Sequence, residues 1–130
     1  MNKVGIAYHP KSDAARRCAE EVRDRIGGRA QTWVASAWDD GARTEHLPDT
    51  DLLICCGGDG TVLRAARAVV PHEVMLLGVN LGRIGFLTEI TPAALFDQLD
   101  AILEGAGRVE TRAMIHTEHI RAGEEIGNRF

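Results

Sequence analysis

The sequence predicts an α/β fold built on an open, mostly parallel sheet that is flanked by helices. Three features of the 130-residue chain indicate this fold: short apolar runs of strand length, intervening segments with apolar residues at helical spacing, and glycine-rich loops directly after two of the runs. The run at 52–56 is apolar throughout, which is typical of a strand buried on both faces. Strands that alternate with helices favour a parallel sheet covered by those helices.

Composition and charge exclude several classes of protein. The chain has 15 Lys and Arg against 19 Asp and Glu, a formal net charge of −4, which argues against general affinity for nucleic acid. No apolar run approaches the roughly 20 residues that cross a bilayer, so we expect no membrane contact. Three cysteines without C-x-x-C spacing predict no zinc or other metal site and no disulfide framework. Because no signal-peptide layout is present, we expect a cytoplasmic protein.

The first half of the chain begins with a buried strand at 3–8. Ser12 is the expected N-cap of a helix whose apolar residues recur at helical spacing and which stops at Gly27. Residues 30–37 are predicted to form a second strand. The stretch 38–50 is polar and rich in turn residues, and it is predicted to be a loop.

The second half continues the same alternation. We expect a strand at 52–56, a short helix at 61–70 and another buried strand at 74–79. Thr91 is followed by proline, which indicates the start of a last helix, and Gly105 is close to its end.

The last segment has a different pattern. Residues 109–121 alternate between apolar and polar side chains, as a strand does, and no turn and return strand are expected before Phe130. We therefore divide the chain into an α/β nucleotide-binding and catalytic-loop domain at 1–107 and, at 108–130, the start of an incomplete β-rich C-terminal domain.

The loop after the third predicted strand has phosphate-binding composition. It is Gly57-Gly58-Asp59-Gly60-Thr61, here called the first glycine loop. In open α/β sheets ligands bind at the carboxyl ends of strands. Glycines let main-chain N–H groups approach an anion closely, and the start of the following helix favours negative charge.

Asp59 has two interpretations. A carboxylate repels a phosphate unless it has a task, and it could orient or deprotonate an attacking hydroxyl or hold Mg²⁺. The alternative is a structural one, in which Asp59 caps the helix that follows the loop. The spacing alone does not separate these two roles.

The first glycine loop belongs to a longer segment, residues 57–67, that resembles the G-G-D-G-T motif of the NAD kinases. Diacylglycerol kinases, sphingosine kinases and phosphofructokinases carry similar loops. Residues 78–89 resemble the second NAD kinase signature, in which N-x-G-x-x-G-F-L-T follows a strand; the part at 80–88 is here called the second glycine loop. The resemblance covers roughly residues 3–121 and implies the N-terminal domain of a NAD kinase.

The resemblance also implies roles for individual residues. Asp59 is the catalytic residue, and the residues implied in binding are Gly57, Gly58, Gly60, Thr61, Asn80, Gly82 and Phe86. By this resemblance Phe86 packs against the adenine of NAD, whereas the alternative is that Phe86 fills the core between helix and sheet. Arg64, Arg67 and Arg83 add local positive charge, and none of them is singled out as a phosphate ligand.

The implied reaction moves the γ-phosphoryl group of ATP, or of polyphosphate, to the 2′-hydroxyl of the adenosine ribose of NAD. Mg²⁺ accompanies the nucleotide, and the complete protein is expected to be a homo-oligomer. The family carries a further N-E motif in a β-rich C-terminal domain, which we expect beyond residue 130, so the chain alone is expected to have little or no activity. The alternatives are a lipid kinase of the diacylglycerol kinase type and a non-catalytic nucleotide-binding module.

Overall fold

The computed structural model of the protein describes residues 1–83, 85–121 and 124–129. These residues form a four-stranded sheet with its helices and, near the C-terminus, a separate two-stranded sheet. The elements in chain order are β1 (Lys3–Tyr8), α1 (Asp13–Ile26), a 3₁₀ turn (Gly27–Arg29), β2 (Gln31–Ser36), α2 (Asp40–His46), β3 (Leu52–Gly57), α3 (Asp59–Val69), β4 (Met75–Asn80), α4 (Pro92–Leu103), β5 (Thr117–Arg121) and β6 (Glu124–Arg129).

The larger sheet confirms the predicted fold class. Its strands lie in the order β2-β1-β3-β4, and all three neighbouring pairs are parallel. In the β3–β4 pair, Gly57 lies opposite Asn80 at the carboxyl ends of both strands. The two glycine loops therefore leave the sheet side by side at the same edge.

Two hydrophobic cores cover the two faces of this sheet. On one face, Ile54 and Cys56 of β3 pack with α1 and α4; on the other face, Leu53 and Cys55 pack with α3 and with Leu47. Every residue of β3 is buried, as the continuous apolar run predicted. The strand that carries the first glycine loop is thus held from both sides.

The predicted starts of α1 and α4 and the predicted end of α1 are confirmed. The Ser12 hydroxyl accepts a hydrogen bond from Ala15 N at 3.1 Å, and the Thr91 hydroxyl accepts one from Ala94 N at 3.2 Å. Gly27 ends α1 with φ of 57°, in the left-handed region that glycine adopts without strain.

The bounds predicted for the helix at 61–70 are wrong, because α3 is Asp59–Val69 and most of the first glycine loop therefore lies in β3 or α3. None of the helices in the described residues is long and apolar enough to cross a membrane.

The prediction of a loop at 38–50 is wrong, because this stretch contains α2. Asp39 caps the helix by accepting a hydrogen bond from Ala42 N at 3.0 Å. The helix has seven residues, and the side chain it buries is that of Arg43. A charged residue at the buried position conceals the apolar period from which helices are predicted.

The prediction for the last segment is wrong in two respects. Only Thr117–Arg121 of the stretch 109–121 is a strand, and a return strand does follow, because β6 pairs antiparallel with β5. Residues 108–116 form no helix or strand. The division into domains at 1–107 and 108–130 stays a prediction.

The three cysteines are buried free thiols. Cys55 packs in the core on the α3 face, whereas Cys18 and Cys56 pack in the core on the α1 face. Burial raises the pKa of the Cys55 thiol to about 12, so this thiol stays protonated and unreactive.

Gly5 is required by close packing, and its replacement tests the core. A Cβ atom at this position would lie 2.3 Å from the ring of buried Trp33, whose indole N–H donates to the Thr50 hydroxyl at 3.1 Å. We expect Gly5→Ala to lower the free energy of unfolding by about 1–3 kcal/mol, because the ring must move. Urea unfolding measures this loss.

The matched control is Gly28→Ala, because no atom lies within 4 Å of a Cβ built there. This variant should unfold within about 0.5 kcal/mol of the wild type, as surface substitutions usually do. Equal stability of the two variants would contradict the packing of Trp33 against Gly5.

Candidate active site

The main chain connects the two glycine loops directly. Leu81 N donates to the Gly57 carbonyl at 3.0 Å, which extends the pairing of β3 and β4 into the loops. The second glycine loop then returns to β4, where Asn80 N donates to the Ile90 carbonyl at 2.8 Å and Glu89 N donates to the Gly78 carbonyl at 3.0 Å. Both ends of the second loop are therefore fixed beside the first.

Asp59 holds the middle of the second loop. Its Oδ2 accepts a hydrogen bond from Phe86 N at 2.8 Å, and its Oδ1 accepts from Leu87 N at 2.9 Å and from Thr88 N at 3.3 Å. We call this set of three bonds the Asp59 anchor. The alternative in which Asp59 caps α3 is wrong, because Gly58 is at the N-cap and no side chain caps that helix.

The Asp59 anchor favours the ionised carboxylate. The hydrogen bond from Phe86 N, followed by that from Leu87 N, holds the pKa of the Asp59 carboxyl below its usual value. The first turn of α3, where Asp59 lies, also favours negative charge. Asp59 is half-buried, and its hydrogen bond through Oδ2 is exposed whereas the two through Oδ1 are partly buried.

Two glycines are required by close approach at this site. A Cβ atom on Gly85 would lie 2.2 Å from Asp59 Oδ1, which leaves no room for a side chain beside the anchor. A Cβ atom on Gly57 would lie 2.4 Å from the Thr61 hydroxyl oxygen. That hydroxyl is buried and has no hydrogen-bond partner among the described residues, so its role as a phosphate ligand stays a prediction.

The start of α3 has the properties of an anion site. The Gly58 carbonyl accepts hydrogen bonds from Thr61 N at 3.1 Å and Val62 N at 3.3 Å, which closes the first turn. Gly58 is half-buried, Gly60 is exposed, and no side chain occupies the N–H groups at this end. Uncapped N–H groups at the positive end of a helix attract phosphate oxygens.

Asn80 shapes the second loop from its beginning. Its Oδ1 accepts a hydrogen bond from Gly82 N at 2.9 Å, a local turn that asparagine side chains commonly stabilise. Asn80 is half-buried, whereas Gly82 is exposed. The structure places both residues beside the first glycine loop without testing their contact with a ligand.

Phe86 extends into solvent. Its side chain is 96% exposed, so the alternative in which it fills the core between helix and sheet is wrong. Its main-chain N–H is held by Asp59, which fixes the position from which the ring extends. An exposed ring on an anchored main chain is available for stacking on a flat ligand.

The described residues offer no protein cage for a metal ion. They contain no group of three His, Cys, Asp or Glu side chains that could hold one. The Asp59 oxygens already accept three main-chain hydrogen bonds, which reduces what they can give to a cation. The residues present therefore do not fit a protein-held Mg²⁺ ion.

Comparison with known proteins gives the family. The family model described as the ATP-NAD kinase N-terminal domain matches residues 5–107. The chain belongs to the NAD kinase family. It is 36% identical over 119 residues to the NAD kinase of Dehalococcoides mccartyi, which is 91% of this chain and 42% of that protein. It is also 33% identical over 130 residues to the NAD kinase of Chloroflexus aggregans, covering 98% of this chain and 46% of that protein.

Another relative shows the same partial coverage. The NAD kinase of an Azoarcus species is 43% identical over 101 residues, which is 78% of this chain and 32% of that protein. The chain thus spans less than half the length of these relatives. The family match lies on the α/β part of the chain, where the two glycine loops are.

Sequence reasoning missed the residues that receive the Asp59 carboxylate. Gly85 contributes because it has no side chain that would overlap the carboxylate. Leu87 and Thr88 contribute through their main-chain N–H groups. Such contributions leave no side-chain type in the sequence from which to recognise them. The available signal was an acidic residue in one glycine loop and a second glycine loop on the following strand.

The Asp59 anchor can be tested by filling the space at Gly85. We expect Gly85→Ala to break the three hydrogen bonds, because the added carbon would overlap the carboxylate. The amides of Phe86, Leu87 and Thr88 should then exchange at least about tenfold faster than in the wild type, as measured by hydrogen exchange. Gly82→Ala is the control, since a Cβ there has no atom within 4 Å. Unchanged protection in Gly85→Ala would disprove the anchor.

The pH dependence of the anchor follows from the lowered pKa of Asp59. The stabilisation is complete above the unfolded-state pKa of about 3.9 and is lost as the pH falls through the lower pKa of the folded state. We expect the NMR amide signals of Phe86 and Leu87 to stay constant from neutral pH down to about pH 4 and to shift only below it. Asp59→Asn should lack this shift. A transition centred above about pH 5 contradicts the assignment.

Proposed function

We propose that the complete protein phosphorylates the 2′-hydroxyl of the adenosine ribose of NAD to give NADP, with ATP or polyphosphate as donor. A bond forms between the 2′-oxygen and the γ-phosphorus, the bond from that phosphorus to its bridging oxygen breaks, and with ATP the product is ADP. The proposal rests on one observation above all: a single carboxylate joins the two glycine loops at one edge of the sheet in a member of the NAD kinase family.

The first glycine loop is proposed to hold the donor phosphates. The N–H groups of Gly58 and Gly60 lie at the uncapped start of α3, and Gly57 allows the strand to end close to Thr61. Main-chain donors and the helix dipole supply positive potential without lysine or arginine. This matters in a chain whose formal net charge is −4.

Asp59 is proposed to orient the attacking hydroxyl through Oδ2. A carboxylate has about four acceptor sites, and the Asp59 anchor occupies three. Oδ1 accepts two hydrogen bonds and Oδ2 only one, so the remaining lone pair is on Oδ2. Because the lowered pKa makes Asp59 a weak base, it positions the hydroxyl and receives the proton late in the transfer. Phosphoryl transfer depends mainly on positioning, which such a base can supply.

The second glycine loop is proposed to bind NAD. The exposed ring of Phe86 stacks on the adenine, and the turn held by Asn80 and Gly82 keeps the loop away from the space that the dinucleotide needs. Since Phe86 N donates to Asp59 Oδ2, the same loop would fix the position of the adenine relative to the carboxylate of Asp59.

The remaining properties of the complete protein are also proposals. Mg²⁺ arrives with the nucleotide rather than in a protein cage, and we derive no step through it. We propose a cytoplasmic homo-oligomer with NAD and ATP as its small-molecule partners. Because the relatives are more than twice as long as this chain, we expect residues 1–130 alone to have little or no activity.

Membership of the NAD kinase family favours this reaction over the lipid kinase alternative. The non-catalytic alternative, a nucleotide-binding module, makes a different prediction for Asp59. In that case Asp59→Asn would leave the function of the complete protein intact.

The decisive experiment compares NADP formation by the complete gene product with that of its Asp59→Asn variant. We expect kcat to fall by on the order of 10²–10⁴, because the side-chain amide that replaces the carboxylate cannot accept the proton. A coupled enzymatic assay for NADP measures the rate at saturating NAD and ATP.

Asp97→Asn is the matched control, because Asp97 is exposed on α4 and makes no ion pair among the described residues. It should retain the wild-type rate. A variant at Asp59 that keeps kcat and changes only the KM for NAD would show that this residue shapes the loop and takes no part in the chemistry.

A further inference from the structure

A second concentration of charge lies away from the glycine loops, in a groove between α2 and α3. The groove has a volume of about 480 Å³, and the residues that matter for its charge are Asp40, Arg43, Arg64, Arg67 and His72. No residue of either glycine loop lines it. We propose that this groove, here called the basic groove, binds a compact polyanion of the di- or triphosphate class.

Arg43 forms the floor of the basic groove. Its side chain is only 5% exposed, which is unusual for arginine. The guanidinium pairs with Asp40 and donates to the Arg64 carbonyl at 3.3 Å, while its Nε is buried without a partner in the described residues. Burial, followed by the charge of Arg64, lowers the pKa of Arg43.

Arg64 is held in place beside it. Its Nε donates to the Ala37 carbonyl at 3.2 Å, and its guanidinium lies over the Trp38 ring at 5.0 Å from the centroid. A guanidinium fixed in this way loses little conformational freedom when it binds an anion. The site is therefore partly formed before any ligand arrives.

Arg67 supplies the third positive charge. It is exposed on α3 one turn after Arg64 and makes no ion pair within the described ranges. Residues three apart on a helix are neighbours, so the two arginines face the same ligand. Asp40 is the only carboxylate among the lining residues, and Asp39, the N-cap of α2, is the nearest further one that acts on Arg43.

The shape of the cluster selects the class of anion. Arg64 and Arg67 lie one turn apart on α3, and Arg43 of α2 donates to the Arg64 carbonyl at 3.3 Å, so the cluster is too short a track for a nucleic acid or an acidic peptide. A compact group of positive charges matches an anion that carries several negative charges on a few atoms. A guanidinium group can donate two parallel hydrogen bonds to the oxygens of one phosphate group. The volume is within the usual range for small-ligand sites.

Titration of tripolyphosphate into the chain by calorimetry at low salt tests the proposal. We expect binding by the wild type and an affinity at least about tenfold lower for Arg67→Gln, since a charge-assisted hydrogen bond to the anion is lost. Arg17→Gln removes the same charge from the exposed face of α1 and should change the affinity by less than about twofold. Thermal unfolding of both variants checks that they fold as the wild type does.

Two further ligands identify the occupant. Orthophosphate should bind much more weakly than tripolyphosphate, because one phosphate group carries less charge and is shorter than the span from Arg64 to Arg67. If Arg67→Gln also weakens the binding of ATP, the occupant is a nucleotide triphosphate; if it weakens only tripolyphosphate, the occupant is a free oligophosphate.

Absence of tripolyphosphate binding, or equal weakening by Arg67→Gln and Arg17→Gln, would overturn the proposal. Equal weakening would show that the chain attracts the anion only through its general charge. The measurement uses no NAD and no catalytic turnover. Tripolyphosphate that binds at the first glycine loop would be insensitive to Arg67→Gln, so the dependence on Arg67 separates this proposal from the proposed kinase reaction.

Discussion

The candidate site depends on one carboxylate that accepts three main-chain hydrogen bonds. Asp59 is the first residue of α3, two residues after the end of β3, and it holds the loop that follows β4, so segments after two neighbouring strands act as one unit. The parallel register and the bond from Leu81 N to the Gly57 carbonyl bring the loops together at their bases, and the Asp59 anchor fixes the middle of the second loop against the start of α3. A buried strand, a helix start and an exposed aromatic ring are placed relative to one another through a single residue.

The arrangement requires one residue to serve structure and chemistry together. A carboxylate that holds a loop is most useful when ionised, and the main-chain donors that keep it ionised also make it a poor base. Phosphoryl transfer tolerates a poor base because the barrier is lowered mainly by positioning and charge stabilisation. In the proposed reaction the conflict between the two tasks is therefore small, whereas it would be severe for chemistry that needs early proton removal.

The parts of the fold that were predictable are those with a repeated apolar pattern. The run at 52–56 and the helix after Ser12 could be recognised because burial on both faces, or on one face, leaves a period in the sequence. α2 was missed because the residue it buries is Arg43. The return strand β6 was missed because Glu124–Arg129 has little apolar alternation. In the site, the loops were recognisable from glycine and aspartate, but the partners of Asp59 are peptide groups that any residue except proline supplies.

That last property has a consequence for engineering and for natural variation. Since the Asp59 anchor uses only main-chain N–H groups, the loop keeps its shape whatever side chain occupies position 86, provided that the residue is not proline. The ring of Phe86 extends from this fixed support and touches little of the protein. The main chain of the loop and the side chain at position 86 are thus separable, so the exposed surface here can change or be redesigned while the hydrogen bonds to the carboxylate are kept.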